Sequence, residues 1–268
     1  MDIEIIHQDQ DILVINKPAG IVVNKAKSVR EPTVQDWVSN QLSDIQESQW
    51  QELVPTKFDD QYGAPVEIFN QRQGLAHRLD KDTSGVMVWA KNPGSLVNLM
   101  HQFKQHQVKK KYTCLTHGKF RIPEGTISAP LGRARVDRQK FAVVSEGREA
   151  VTEYQVAQYY PGFSEQGRQE LEQIKKKLSL YQGFSLVDCW PKTGRTHQIR
   201  VHMKHWLHPL VGDDKYVGKR RAKLDKMWCP RQFLHAARLE FVHPRTQKEV
   251  NFTADLTQDL EQVLKFLS

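Results

Sequence analysis

The apolar segments of this chain arrive in hairpin-like groups, not as one strand per helix, and that spacing most restricts its fold. "DILVINKPAGIVVN" (11–24) reads as strand, turn, strand, with Pro18, Ala19 and Gly20 as the punctuation. "GVMVWAK" (85–91) predicts a buried strand, and "KKYTCLTHG" (110–118) and "TEYQVAQYY" (152–160) alternate as strands. "FSLVDCWP" (184–191) is a further strand, and "LHAARLEFVHPRTQKEVNFTA" (234–254) predicts a hairpin turning at Pro244 to Gln247. Helices are fewer. "SLVNLMHQFKQHQV" (95–108) sets Leu96, Leu99, Met100 and Phe103 on one face, and "SEQGRQELEQIKKKLSL" (164–180) is a polar helix. "THQIRVHMKHWL" (196–207) reads as a helix with Thr196 as cap and Ile199, Met203 and Leu207 as its apolar line. "DLTQDLEQVLKFL" is a closing amphipathic helix. This order favours an α+β fold on an antiparallel or mixed sheet over a doubly wound one. A single domain over 1–268 is expected, with 40–70 and 161–182 as local insertions.

At 268 residues and 39% hydrophobic content the chain has ample core. There is no run of 18 apolar residues for a membrane span, and "MDIEIIHQDQ" is too acidic for a leader peptide. Cys114, Cys189 and Cys229 are odd in number and far apart, which fits a reducing cytoplasm. No GxGxxG or GxxxxGK[ST] occurs, so dinucleotide and P-loop chemistry are not supported. The formal charge is +8, unevenly spread. Residues 1–62 hold 11 acidic and 5 basic residues, residues 101–121 hold 6 basic and no acidic ones, and residues 215–231 hold 7 basic and 1 acidic. Such a split points to a polyanion meeting part of the surface, although for one charge run alone a solvated face is the better reading.

"GLAHRLDKDTSG" (74–85) is the most suggestive loop. Asp80 lies just before the apolar run at 86–90; Thr83 and Ser84 can bond to local backbone, and Gly85 permits an unusual dihedral. A loop aspartate is more often a turn residue than a catalyst, and the local pattern alone does not separate the two. In "KTGRTHQIRVHMKHWLHP" (192–209), Arg195 falls in a turn and Arg200 within a helix, where a rigid guanidinium can clamp a carboxylate. His197, His202, His205 and His208 invite a metal, but no carboxylate or cysteine completes a ligand spacing; roles in the fold or against RNA fit them better. "KKKYTC" sets Tyr112 beside Lys109, Lys110 and Lys111, a pattern suited to a stacked base with neutralised phosphates, though taken alone it fits a strand tyrosine with solvated lysines better. "PLGRARVDRQKFAV" (130–143), with Arg133 and Arg138, is a basic loop that can follow a phosphate backbone.

Taken together, "NKPAGIVV" (16–23), "HRLDKDTSGVMVWAK" (77–91), "KKYTCLTHG" (110–118), "GRTHQIRVHM" (194–203), "HPLVGDDKY" (208–216) and "LHAARLEFVHP" (234–244) resemble, in order, the RluA-type pseudouridine synthases. The resemblance implies a mostly antiparallel mixed sheet in two halves, flanked by helices and loops, with the active cleft between the halves. It implies that uridine in ribosomal or transfer RNA is isomerised, with no metal or organic cofactor. No obligate protein partner is evident in the sequence, and a cytoplasmic monomer is the default expectation. It makes Asp80 the nucleophile, Arg200 its ionic partner and Tyr112 the platform under the target base. Arg78 would fill the gap left by an extruded base and Leu234 would pack beneath the site. His77, Arg195 and Thr83 are expected to contact substrate, and Lys109, Lys110, Lys111, Arg133 and Arg138 its backbone. Many relatives carry an N-terminal S4-like RNA-binding module; here the catalytic pattern begins within the first 20 residues, so the form without it is expected. The rival expectations are a catalytically silent RNA-binding protein with the same fold and a metal-dependent nuclease or deaminase.

Overall fold

Ile12 to Ile15 and Val86 to Ala90 are runs without a polar residue, and both become strand with no face left to solvent. The computed structural model describes residues 1–26, 29–41, 50–56, 58, 63–135, 137–138 and 140–268. In chain order its elements begin β1 (Glu4–Gln8), β2 (Ile12–Lys17), α1 (Val34–Gln41), α2 (Pro65–Arg72), β3 (Ser84–Ala90), α3 (Pro93–Lys104) and β4 (Lys109–His117). Next come β5 (Glu124–Ser128), β6 (Leu131–Arg133), β7 (Phe141–Val143), β8 (Val151–Tyr160), α4 (Glu165–Glu170), α5 (Lys175–Leu178) and β9 (Phe184–Pro191). The chain closes with α6 (Gln198–His205), α7 (Lys219–Asp225), β10 (Leu234–Val242), β11 (Glu249–Thr253) and α8 (Gln258–Lys265). The fold is α+β, as expected, and no described helix is long and apolar enough to cross a membrane.

Two compact units divide the chain. The first is Met1–Lys109 with Ala236–Asp255. Its strands run β1-β2-β3-β10, with β11 beside β10. The β1–β2, β2–β3 and β10–β11 pairs are antiparallel, and Lys17 stands opposite Gly85 in the β2–β3 register. Asn92 caps α3 by accepting from the Ser95 N–H at 2.8 Å, and Pro93 opens the helix. Leu96, Val97 and Leu99 are sealed from solvent, each burial stabilising by about 1.5–3 kcal/mol; Met100 and Phe103 are only half-buried.

The second unit is Lys110–His235 with Leu256–Ser268. Its strands run β4-β9-β8-β5, with antiparallel β4–β9, β8–β9 and β5–β8 pairs, and β6–β7 form a separate antiparallel hairpin. One apolar cluster gathers Phe163, Tyr181, Phe184, Trp228 and Phe233 with Leu260 and Val263 of α8. A second gathers Cys114, Val187 and Cys189 with Ile199 and Met203 of α6 and with Leu234; Tyr112 packs against it.

Three local readings change. Ile21 to Asn24 form no strand, because the carbonyls of Val22 and Val23 accept the N–H groups of Val34 and Gln35 at the start of α1. Segment 164–180 is not one helix but α4, a 3-10 turn and α5, which lets Leu171 and Leu178 both reach the aromatic cluster. Thr196 does not cap α6: His197, in the left-handed region at φ 56°, precedes the helix. Leu207 is 84% exposed, and the buried face instead includes Gln198, Arg200, Val201 and His202. Of the predicted insertion at 40–70, residues 42–49, 57 and 59–62 lie outside the described residues; the rest holds a 3-10 turn at Gln51–Leu53 and most of α2.

Candidate active site

The loop bearing Asp80 is built in the first unit. Leu79 is buried, Asp80 half-buried, Arg78, Lys81 and Asp82 exposed, and Thr83 and Ser84 buried again. The Thr83 N–H closes a turn on the Asp80 carbonyl at 3.2 Å. The strongest tie is Lys17, the last residue of β2 and fully buried. Its ammonium donates to the carbonyls of Pro18 at 2.8 Å, Lys81 at 2.9 Å and Thr83 at 2.9 Å. These three bonds match the three donors of a lysine. The Gly20 N–H also donates to the Lys81 carbonyl, at 3.0 Å. The loop is therefore gripped one and three residues after Asp80.

Gly85 follows at φ 114°, and a Cβ there would lie 2.2 Å from the Ala236 carbonyl oxygen, so only glycine fits beside β10. His77 accepts from the Val88 N–H through Nε2 at 3.1 Å and stacks on Phe103 at 4.6 Å. It ties the approach to the loop onto β3 and α3.

The second unit presents Arg200. Its Nε donates to Oδ2 of Asp213 at 2.7 Å and its Nη2 to Oδ1 at 2.8 Å, a bidentate pair with both side chains almost sealed from solvent, 4% and 0% exposed. Its guanidinium also lies over the Tyr216 ring, 5.1 Å from the centroid. The Tyr216 hydroxyl is hydrogen-bonded to Nδ1 of His197 at 2.7 Å and accepts from the Phe141 N–H at 3.0 Å. The arginine is thus fixed in plane and orientation by side chains from "GDDKY".

Gln198 supports the turn before α6. Its Oε1 accepts from the Thr193 hydroxyl at 2.7 Å and the Arg195 N–H at 3.0 Å, and its Nε2 donates to the Val151 carbonyl at 2.9 Å. Arg195 itself donates to the Glu149 carbonyl at 3.1 Å. Tyr112 and Leu234 share one apolar cluster with Ile199 and Met203, so the second unit brings both beside the helix that carries Arg200.

The expected backbone-binding lysines have partners of their own. Lys109 pairs with Glu240 at 3.6 Å and Lys111 with Asp188 at 2.8 Å. Lys110 donates to the Thr193 carbonyl at 3.4 Å, and burial pulls its ammonium down to about 8. Arg133 and Arg138 are exposed on the β6–β7 hairpin and its turn, where Arg133 donates to the Arg138 carbonyl at 2.7 Å.

The α6 histidines separate. Buried His202 accepts from the Thr152 hydroxyl at Nδ1, 2.9 Å, and donates from Nε2 to the Ala129 carbonyl, 3.1 Å; burial lowers its pKa and keeps it neutral. His208 stacks on Phe120 at 3.8 Å and donates to the His117 carbonyl at 2.9 Å. Among the described residues, one group, Asp9, Asp11 and His243, brings ligand-type atoms within 4.8 Å of one another. Those atoms hold the fold. His7 and His243 both donate to Asp9 Oδ2, at 3.0 and 2.9 Å, and Arg245 clasps Asp11 at 2.7 and 3.0 Å.

Sequence reasoning did not single out Lys17, Gln198, Asp213 or Tyr216. All four lie in or beside the motif segments. The signal for Asp213 was a charged pair after an apolar "PLVG", and nothing local says which of Asp213 and Asp214 turns inward.

The sequence model of the family described as RNA pseudouridylate synthase matches residues 11–205. A Bacillus subtilis (strain 168) protein named "Uncharacterized RNA pseudouridine synthase YlyB" is 36% identical over 267 residues, spanning 100% of this chain and 73% of its own length. A Zymomonas mobilis protein named "Ribosomal large subunit pseudouridine synthase D" is 34% identical over 274 residues, spanning 99% of this chain and 73% of its own length. Among solved structures, human RNA pseudouridylate synthase domain containing 1 has the same fold, with a TM-score of 0.64 at 23% identity, covering 98% of this chain and 87% of that one. The full-length matches and the motif order agree: the chain belongs to the RluA-type RNA pseudouridine synthases, an isomerase family.

Proposed function

We propose that this chain converts uridine to pseudouridine in structured RNA, with Asp80 as the nucleophile and Arg200 as the cation that keeps it ionised. The reaction detaches uracil from C1′, turns it and rejoins it through carbon. The carboxylate attacks C1′, adds to C6 of the ring, or takes a proton from C2′. All three routes need an ionised carboxylate in a site that stacked bases partly dry. Desolvation raises a carboxyl pKa, whereas a cation within about 4–6 Å lowers it by roughly 1–3 units. An arginine supplies that charge without losing its own proton.

The observation that carries the reading is the rigidity given to both groups. Lys17 holds the Asp80 loop through the Lys81 and Thr83 carbonyls, and Asp213 holds Arg200 through two parallel bonds. A base within folded RNA must first be flipped out, at a cost of a few kcal/mol. Tyr112, packed beside α6, is the stacking platform, a contact that contributes about 1–3 kcal/mol. Exposed Arg78 fills the vacated stack. The exposed cations Arg133 and Arg138, with Lys219, Arg220 and Lys223 on α7, take the phosphates.

Relatives named for the ribosomal large subunit make large-subunit rRNA the first substrate to try, with tRNA second. Incubation with each RNA, followed by carbodiimide labelling of pseudouridine, tests the reading. Label at defined uridines supports it. Binding without label would leave a silent RNA-binding protein.

A further inference from the structure

Asp225, at the end of α7, is fully buried, yet it has no place in the chemistry above. Its Oδ2 accepts from the Gly212 N–H at 3.1 Å and from His117 Nε2 at 2.8 Å; its Oδ1 accepts from the Tyr181 hydroxyl at 3.0 Å. The Tyr181 oxygen in turn accepts from Trp228 Nε1 at 3.0 Å. Gly212 immediately precedes Asp213, the residue that clamps Arg200. It sits at φ 73°, and a Cβ there would lie 2.1 Å from the Arg231 carbonyl oxygen, so its position has little freedom. On the N-terminal side the backbone is pinned as well: the Val211 N–H donates to the Leu115 carbonyl and the Val211 carbonyl accepts from the Phe233 N–H, both at 2.9 Å. The Asp225 carboxylate accepts from the N–H of that same Val211–Gly212 peptide, one residue before the clamp.

A buried carboxylate is an expensive way to hold a helix end, since apolar residues of similar volume usually serve at least as well. Its bonds to His117 and Tyr181 fix the carboxylate, and its bond to Gly212 orients the Val211–Gly212 peptide, one residue before Asp213. We propose that Asp225 is a positioning residue for catalysis, acting through Gly212 and Asp213 to set the guanidinium plane of Arg200. This rests on the reading that Arg200 serves Asp80. Because α7 also presents exposed Lys219, Arg220 and Lys223, the helix proposed to meet phosphate is the one wired to the arginine clamp.

The test is a double-mutant cycle read as kcat and KM for pseudouridine formation, with thermal unfolding measured on every variant. Asp225→Asn is expected to lower kcat roughly ten- to a hundredfold, the scale of a misplacement of about 1 Å, with KM within about twofold. In an Arg200→Lys background, where no fork remains to be oriented, the same change should alter kcat by less than about twofold. Tyr181→Phe removes one bond to Oδ1 and leaves the Gly212 bond; it should show the same dependence on Arg200 at smaller size, and it carries the test if Asp225→Asn does not fold. Equal slowing in both backgrounds, or lost thermal stability with kcat intact, would overturn the positioning role and leave the Asp80–Arg200 reading standing. Wild-type activity in Arg200→Lys alone would overturn that reading instead, and this inference with it.

Discussion

Replacing Lys17 by Met keeps the stem packed and removes only the ammonium. In the native loop that ammonium serves the carbonyls of Pro18, Lys81 and Thr83 at 2.8–2.9 Å. Lys81 keeps a second donor, the Gly20 N–H at 3.0 Å. The main loss therefore falls on the bonds to the Pro18 and Thr83 carbonyls, at about 1–3 kcal/mol each. Relief from burying a charge offsets part of this, several kcal/mol being the usual cost of an enclosed ion. A net destabilisation of about 2–4 kcal/mol remains as the working figure. At roughly 2–4 °C per kcal/mol for a chain of this size, the unfolding midpoint should fall by about 5–15 °C. The second effect is on rate. The Lys81 and Thr83 carbonyls lie one and three residues after Asp80, and a nucleophile displaced by about 1 Å loses roughly a hundredfold. Calorimetry gives the first quantity; initial rates of pseudouridine formation, taken well below the lowered midpoint, give the second. A Lys17→Met protein with an unchanged midpoint and wild-type rate would refute the idea that this lysine holds the catalytic loop.

Other outcomes follow from the same contacts. Arg200→Lys should reduce kcat at least tenfold with RNA affinity retained, because one ammonium cannot reproduce the two parallel bonds to Asp213; rates near wild type would count against the clamp. His202 is held neutral, its folded pKa below the ordinary 6.5. Its contribution to stability is therefore full above pH 6.5 and is lost as pH falls from 6.5 through the lowered value, where the unfolded chain takes the proton first. His202→Gln should flatten the dependence of unfolding free energy on pH in that window, and an unchanged slope would assign the titration elsewhere. Chelators should leave pseudouridine formation unaltered, since the proposed reaction uses no metal; activity restored by an added divalent ion would return attention to the histidines of α6.

Strands β2, β3, β4, β8 and β9 and the β10–β11 hairpin were legible from their apolar patterns, whereas β1, β5, β6 and β7 were not read and the strand expected at 21–24 does not form. "GVMVWAK" reads as buried throughout, and every residue of β3 is buried. Asp80 and Arg200 were legible as members of motifs, and Gly85 as a residue free to adopt positive φ. What stayed hidden has a common cause: a polar residue buried by partners far away in sequence carries no local mark. Lys17 looks like a strand end and is sealed by carbonyls 64 and 66 residues on. Asp225 sits in a basic run and reads as an isolated acid, yet its partners are 108 and 44 residues away. The α6 cap failed for a related reason. Thr196 is a good cap by residue type, but Gln198 reaches back to the Thr193 hydroxyl and the Arg195 N–H and fixes the turn in another way. Leu207 matched the helical period but falls past the end of the helix, so its side chain has nothing to pack on.

The proposed assignment of Asp80 as nucleophile is tested most directly by Asp80→Asn, which keeps the size of the side chain and the turn bond from the Thr83 N–H to the residue 80 carbonyl. With a large-subunit rRNA substrate, the account predicts RNA binding within a few-fold of wild type and no carbodiimide-reactive pseudouridine above background. Substantial pseudouridine formation by that variant would contradict it.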